Sequence, residues 1–391
     1  MPEPSAQAAS RTHRGRLACL ILLGIRGMAA VHANPYVPAR DDEVLAHLPP
    51  GAAHTSLPIR QQAGARLDVA LPLAQFYISQ ARATGDLRFL GYAEAVLMRW
   101  RGQTPPNPDV LVLHATILQS RHSFDAAVGE LNEALRARPD DAQAWLTRAT
   151  VLRVLGRYDE AGASCVRLAP ADVILAQLCT QSLRALDGHL KSAYTAVRQL
   201  PLQSLSNAAR AWRYSELGEM AQSLGDDSAA AHWFLEALQL APDDAYTRAA
   251  YADLLLGEGR AAETLKLLDG RESMEPMLLR IALAQQRLND PGLTQSRQML
   301  ASAFAVEEQR GEAVHRREQA RFLLDVAKLA SAALSAAQDD WRVQREPADL
   351  LILLRAAQAA HQPDAAAPAL QFVREHGTED VRFAPYLGRS Q

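Results

Sequence analysis

Eleven histidines are spread along the chain. None has the HExxH spacing that puts two imidazoles on one helical face around a zinc ion. His114 and His122 are eight residues apart and read as ordinary polar surface histidines, so no metal site is expected. The stretches "LGEMAQSLG" and "LLGEGR" contain glycines, but neither has the GxxxxGK[ST] or GxGxxG spacing that cradles a phosphate. No GxSxG nucleophile turn occurs. Carboxylates are plentiful, as at Glu307-Glu308 and Asp339-Asp340, yet charge runs on helices ordinarily face water. An extended helical array also lacks the closed pocket that raises a carboxylate's pKa for acid–base work. No catalytic set emerges, and the expectation is a protein that is not an enzyme and takes no cofactor.

Elements able to position such residues are therefore the next question. Apolar residues make up 48% of the 391 and charged residues 22%, the composition of a folded chain. A formal charge of −3 with both signs interspersed argues against a nucleic-acid partner, which needs a clustered basic face. Ala and Leu dominate, and β-branched runs that would read as strands are missing. At the N-terminus Arg11, Arg14 and Arg16 precede the apolar run "LACLILLGI" and the small-residue site Val31-His32-Ala33. This pattern reads as a signal peptide over 1–33 and predicts a periplasmic or secreted protein. The run is too short for a membrane span, so no integral membrane segment is expected after cleavage. The alternative is an untargeted tail, with translation starting at Met28 and a cytoplasmic protein.

The chain writes nearly the same phrase twice, "ALRARPDDAQAW" at 134–145 and "ALQLAPDDAYTR" at 237–248. Pro139 and Pro242 are 103 residues apart (242 − 139), which is three periods of about 34 residues plus one. Within that period residues 142–175 carry Trp145, Ala149, Gly156, Tyr158 and Ala161. Residues 108–141 carry Leu111, Ala115, Phe124, Ala127, Ala134 and Pro139, with His122 where a glycine is usual. Residues 211–244 carry Tyr214, Leu217, Gly218, Gly225, Ala230, Phe234, Ala237 and Pro242. In these features the sequence resembles the tetratricopeptide (TPR) repeat family, of a bacterial exported type. The small residues let two helices of a hairpin approach closely, and the glycines end the first helix with a positive φ. The prolines stop the second helix, and the acidic pair that follows suits a helix start.

The resemblance implies an all-α fold, a right-handed superhelical α-solenoid of about eight TPR-like hairpins over 66–379. Its best repeats are 108–141, 142–175, 211–244 and 245–276. A Pro/Ala-rich lead-in (34–65) precedes the array and a C-terminal tail (380–391) follows it. After residue 245 the family pattern fades, and pairs broken at "NDPG" (289–292) and at Gln362-Pro363-Asp364 are read from period alone. In TPR arrays the concave face is lined by fixed positions of each first helix. Here these positions are Gln143, Leu146, Thr150, Arg153 and Val154, then Trp212, Ser215, Glu219, Gln222 and Ser223, then Tyr246 and Asp253. Such a groove suits an extended peptide or a helix of a protein partner. Leu146 and Thr150 hold positions where one TPR subclass uses Lys and Asn, which disfavours carboxylate-tail binding. The charged stretch "VEEQRGEAVHRREQAR" (306–321) reads as a solvated face with pairs such as Glu312–Arg316.

In this register Cys165 lies on a second helix and Cys179 on the next first helix, each seven residues from the turn at Asp172. Equal distance from a turn puts them at one height, so an exported chain could join them as a disulfide. Two buried small apolar residues are the other reading. The function implied is a non-enzymatic interaction scaffold or adaptor of the bacterial cell envelope. Two readings stay open beside it: an accessory subunit positioning an envelope enzyme or transporter, and an enzyme or small-ligand receptor on a repeat scaffold.

Overall fold

Aspartates start the helices, as the repeated phrase predicts. In both "PDD" phrases the second aspartate is the cap: Asp141 accepts from the Ala144 N–H at 2.9 Å and Asp244 from the Thr247 N–H at 3.3 Å. Asp172 caps its helix through the N–H groups of Ile174 and Leu175. Each cap satisfies amide groups that a helix start leaves unpaired. At the other end of the first helices, Gly156 (φ 71°) takes the left-handed turn into the second. His122 takes the same conformation (φ 57°), and its ring stacks on Phe124 at 5.2 Å.

The computed structural model describes residues 62–309 and 315–387. The expected signal peptide, nearly all of the lead-in segment and Glu312, one partner of the expected Glu312–Arg316 pair, lie outside the described residues. Among the described residues eighteen α-helices pair into nine hairpins, and there is no strand. The first five hairpins are Leu67–Thr84 with Arg88–Arg101, Pro108–Ser120 with Phe124–Ala137, Ala142–Val154 with Tyr158–Val166, Val173–Leu186 with Leu190–Gln199, and Asn207–Ser223 with Asp227–Leu240. The last four are Ala245–Gly257 with Ala261–Leu267, Glu275–Leu288 with Leu293–Gln309, Arg316–Arg321 with Ala330–Trp341, and Pro347–Ala359 with Ala367–His376. This is an all-α solenoid of TPR-like hairpins. No helix among the described residues is long and apolar enough to cross a membrane.

Small residues set the packing. Ala115, Ala127 and Ala134 are fully buried in the core shared by the second and third hairpins, beside Leu131 and Leu152. The later hairpins are less regular, in line with the fading pattern. Asn289 turns left-handed at φ 53°, and the eighth hairpin's first helix widens into a π turn at Phe322–Val326.

The hairpins wind tightly enough for one edge of the early array to touch the late array. The Arg345 N–H donates to the Val154 carbonyl at 2.8 Å, joining the third hairpin to the start of the ninth. Asp187 pairs with His376 Nδ1 at 2.8 Å across 189 residues, and Thr378 Oγ1 donates to the Leu186 carbonyl across 192. Side chains fit the same seam: a Cβ on Gly156 would stand 2.9 Å from Arg345 Cδ and from the Phe372 ring. The stretch expected as a free C-terminal tail is docked through its described part. Asp380 accepts from Ser223 Oγ at 3.2 Å, Arg382 donates to Gln222 Oε1 at 3.0 Å, and Phe383 is fully buried.

Candidate functional site

The predicted groove residues all lie on first helices and fall into two groups. Near the starts of their helices Gln143 is exposed, Leu146 and Trp212 are half-buried, and Tyr246 keeps 47% of its surface. Burial and then the charge of Glu219 push the Tyr246 hydroxyl well above the usual range. Thr150 hydrogen-bonds back to the Leu146 carbonyl, and Ser215 is buried, accepting from Thr247 Oγ1 at 2.9 Å.

Toward the helix ends the groove residues are bound to other parts of the same chain. Arg153 donates to Glu216 at 2.8 Å and, across the seam, to Glu346 at 3.1 Å. Trp212 Nε1 donates to the same Glu216 oxygen at 2.8 Å. Burial works against the Arg153 charge, but these carboxylates outweigh it and hold its pKa well above the ordinary value. Beside them Glu219 is pushed up to about 7, by burial first and then by Glu216. Gln222 accepts from Arg382. Asp253 is gripped by Arg280 and Arg321, each at 2.6 Å. Burial raises Asp253, yet the two guanidinium groups hold it at about 2.

This second group belongs to a ladder that runs on through the later hairpins. Arg280 reaches Glu318, Arg317 reaches Asp349, and Arg355 reaches Asp325. The partners lie about one repeat apart on neighbouring first helices: 27 residues from Asp253 to Arg280, 32 from Arg317 to Asp349 and 30 from Asp325 to Arg355. Opposite charges recurring at the repeat period are a signal that the sequence carries and that the motif search above passes over.

Three expectations are corrected here. Where it is described, the charged stretch 306–321 is a solvated face only at its start, where Val306, Glu308 and Gln309 are exposed; Arg317, Glu318 and Arg321 point into the ladder. Asp340 is fully buried, not solvent-facing, and accepts from Gln344 Nε2 at 2.9 Å. Burial and then the charge of Asp349 raise Asp340, and burial raises Asp349 to about 6 although Arg317 pulls it down. Closed surroundings thus exist within the solenoid, because neighbouring first helices crowd together. Neither carboxyl is accessible to a substrate, since both are fully buried. Nor is His114 a surface residue: it is 2% exposed and its Nδ1 lies 2.6 Å from Glu130. His122 is surrounded as well, and burial pushes it down to about 4.

One cluster among the described residues has a metal-like composition. His315 Nδ1 lies 2.7 Å from Glu307 and 2.9 Å from Glu275. Burial lowers the imidazole's pKa, but the two carboxylates dominate and raise it to about 10, the behaviour of an imidazolium ion pair. Its folded pKa exceeds the unfolded value of about 6.5. The stabilisation is therefore complete below pH ~6.5 and lost as pH rises through ~10. His315→Gln is expected to remove on the order of 1–3 kcal/mol at pH 6 and much less at pH 10.5. Denaturant melts across that range measure the difference.

Cys165 and Cys179 are joined by a disulfide, with Cα atoms 5.5 Å apart, and it staples the third hairpin to the fourth. The linked residues are 14 apart, and closing a loop of that size restricts the unfolded chain by about 3 kcal/mol. Reductant is expected to lower the denaturation midpoint accordingly, and Cys165→Ala with Cys179→Ala to abolish that response. Two reactive thiols in denatured, unreduced protein would show that the link does not form. Beside the disulfide lies a cavity of about 30 Å³ walled by Thr150, Arg153, Ser182 and Trp212. A water fits there and a metabolite does not, which counts against a small-ligand receptor at this point of the array.

No family model and no curated protein matches the chain. Solved structures do match. The human IFIT1 dimer with PPP-AAAA is 15% identical over 74% of this chain and 69% of its own, with a TM-score of 0.46. Yeast Tom70 is 12% identical over 81% of both chains, with a TM-score of 0.39. PilF of Pseudomonas aeruginosa is 16% identical over 64% of this chain and 97% of its own, with a TM-score of 0.31. The chain is similar to each of these at a low level; what makes it a TPR-like α-solenoid is its own series of capped, closely packed hairpins.

Proposed function

We propose that the protein is a non-enzymatic scaffold of the bacterial cell envelope that holds a protein partner against the inner wall that its first helices form. The observation that supports this reading is the division of that wall. Arg153, Gln222 and Asp253 are committed to partners in the later hairpins or the docked C-terminal segment. Displacing them leaves buried charges or amides unpaired, which is costly. The side chains left with surface for recognition lie near the helix starts: Gln143, Leu146, Tyr246 and the ring of Trp212, whose Nε1 is held by Glu216. They combine an aromatic pair with amide and aliphatic groups, the chemistry that takes an extended peptide or a helix face.

The test is crosslinking capture from envelope fractions with the wild-type chain and with Gln143→Ala/Tyr246→Ala, folding being checked by circular dichroism. Loss of the captured proteins from the folded variant is expected, and an unchanged set would move recognition off this wall. Location is tested by sequencing the N-terminus of the mature protein. Residues 1–33 found intact would end the export reading.

A further inference from the structure

The second helices of the second and third hairpins are Phe124–Ala137 and Tyr158–Val166. Residues of both, with the turn at Pro139, line a groove of about 500 Å³. This volume falls in the range of built binding sites. Trp145 and Arg148 of the intervening first helix contribute to the groove, and Arg136, Pro139, Ala163 and Arg167 line it.

The groove is basic, and its cations are poorly neutralised. Arg167 stands over the Trp145 ring at 5.5 Å and Arg148 at 6.0 Å. Arg136 donates to the Asn132 carbonyl, and neither it nor Arg167 has a carboxylate partner within ion-pair distance among the described residues. The carboxylate on Arg148 is Glu160, at 3.5 Å, and Arg157 holds that group more closely at 2.7 Å. This contrasts with the inner ladder, where each arginine faces a carboxylate.

The groove is also rigid. Arg148 donates to Asn132 Oδ1 at 2.8 Å and to Ser164 Oγ at 2.6 Å, tying the two second helices together across its floor. Trp145 Nε1 donates to the Pro139 carbonyl at 2.8 Å, which fixes the indole. Cys165, two residues before Arg167, is anchored to the fourth hairpin by the disulfide. A preformed site loses little entropy when it binds.

We infer that this groove docks a short, extended, acidic segment of a partner protein. Carboxylates of the segment pair with Arg136 and Arg167, and one of its apolar side chains lies on Trp145. Charge complementarity selects this occupant, because two unneutralised guanidinium groups in a groove that also holds an indole favour anionic groups set beside an apolar residue. The inference concerns a surface separate from the inner wall and stands or falls independently of it.

Fluorescence anisotropy of the full chain tests it, with a labelled octapeptide rich in Asp and Glu around a central Leu-Phe. The comparison peptide carries Lys at each acidic position. The acidic peptide is expected to bind at low salt and to weaken as salt rises. Arg136→Glu/Arg167→Glu changes two exposed residues and breaks no ion pair, only the Arg167–Trp145 stacking and the Arg136–Asn132 hydrogen bond, so its melting curve should lie close to the wild type while affinity falls by about tenfold or more. Gln143→Ala/Tyr246→Ala, the inner-wall variant, should bind the peptide normally. Equal binding of the two peptides, or an affinity unchanged in the charge-reversed variant, would overturn the inference. So would a single-stranded RNA oligomer that binds the same arginines more tightly than the peptide does.

Discussion

Arg153→Met is expected to destabilise the protein by about 3–5 kcal/mol, the cost of removing one partner from a buried ion pair. Its guanidinium lies between Glu216 of the fifth hairpin and Glu346 at the start of the ninth. Without it two largely buried carboxylates face each other in a site already crowded by Glu219. Acid should repair the variant in part, because protonation removes the repulsion. Arg153→Met/Glu346→Gln should recover more than half of the loss, since one buried charge disappears with the cation. Urea unfolding of the four proteins of the cycle gives the coupling. A loss below about 1 kcal/mol in the single variant would mean that the seam is solvated.

Phe234→Ala is expected to cost about 3–5 kcal/mol, the range for deleting a fully buried aromatic side chain. The ring is completely buried and lies against Gly218, where an added Cβ would come within 2.5 Å of two ring atoms. Gly218→Ala alone should therefore cost about 1–3 kcal/mol through overpacking. The two changes should not add: with the ring gone, the new methyl group enters the space and restores some contact. Thermal melts of both single variants and of the double measure that shortfall. Additive costs would show that the helices move apart instead of the ring clashing.

The local architecture was legible because its causes are local. Asp141, Asp172 and Asp244 cap helices from where they stand, and Ala115, Ala134 and Ala149 mark contacts between helices close in sequence. The disulfide was visible only as one of two readings, since equal distance from Asp172 fixes height but not the approach of two helices. The seam was not visible. It joins Val154 to Arg345 and Asp187 to His376, and no period of about 34 residues encodes which distant residues meet when an array curves. Burial of His114, against Glu94 and Glu130, and of Asp340, against Gln344, comes instead from packing of adjacent hairpins that the repeat pattern does not spell out. Trp145 shows a subtler gap: it was read as a repeat-defining residue, and its second role as part of a basic groove depends on Arg136 of the preceding hairpin and Arg167 at the end of its own.

The seam also bears on how this chain can change in length. In an open array each unit meets only its neighbours, so a unit can be gained or lost and the remainder stays in place. Here Val154, Leu186 and Asp187 each hold a fixed partner some 190 residues downstream. Inserting or deleting one hairpin between them would shift every downstream partner by a whole unit, setting Arg345 and His376 against the wrong turns. The number of hairpins within a winding is therefore locked, much as a combination is locked by the position of every wheel. Variation in this lineage should fall in loop lengths and at the ends of the chain, and not in repeat number.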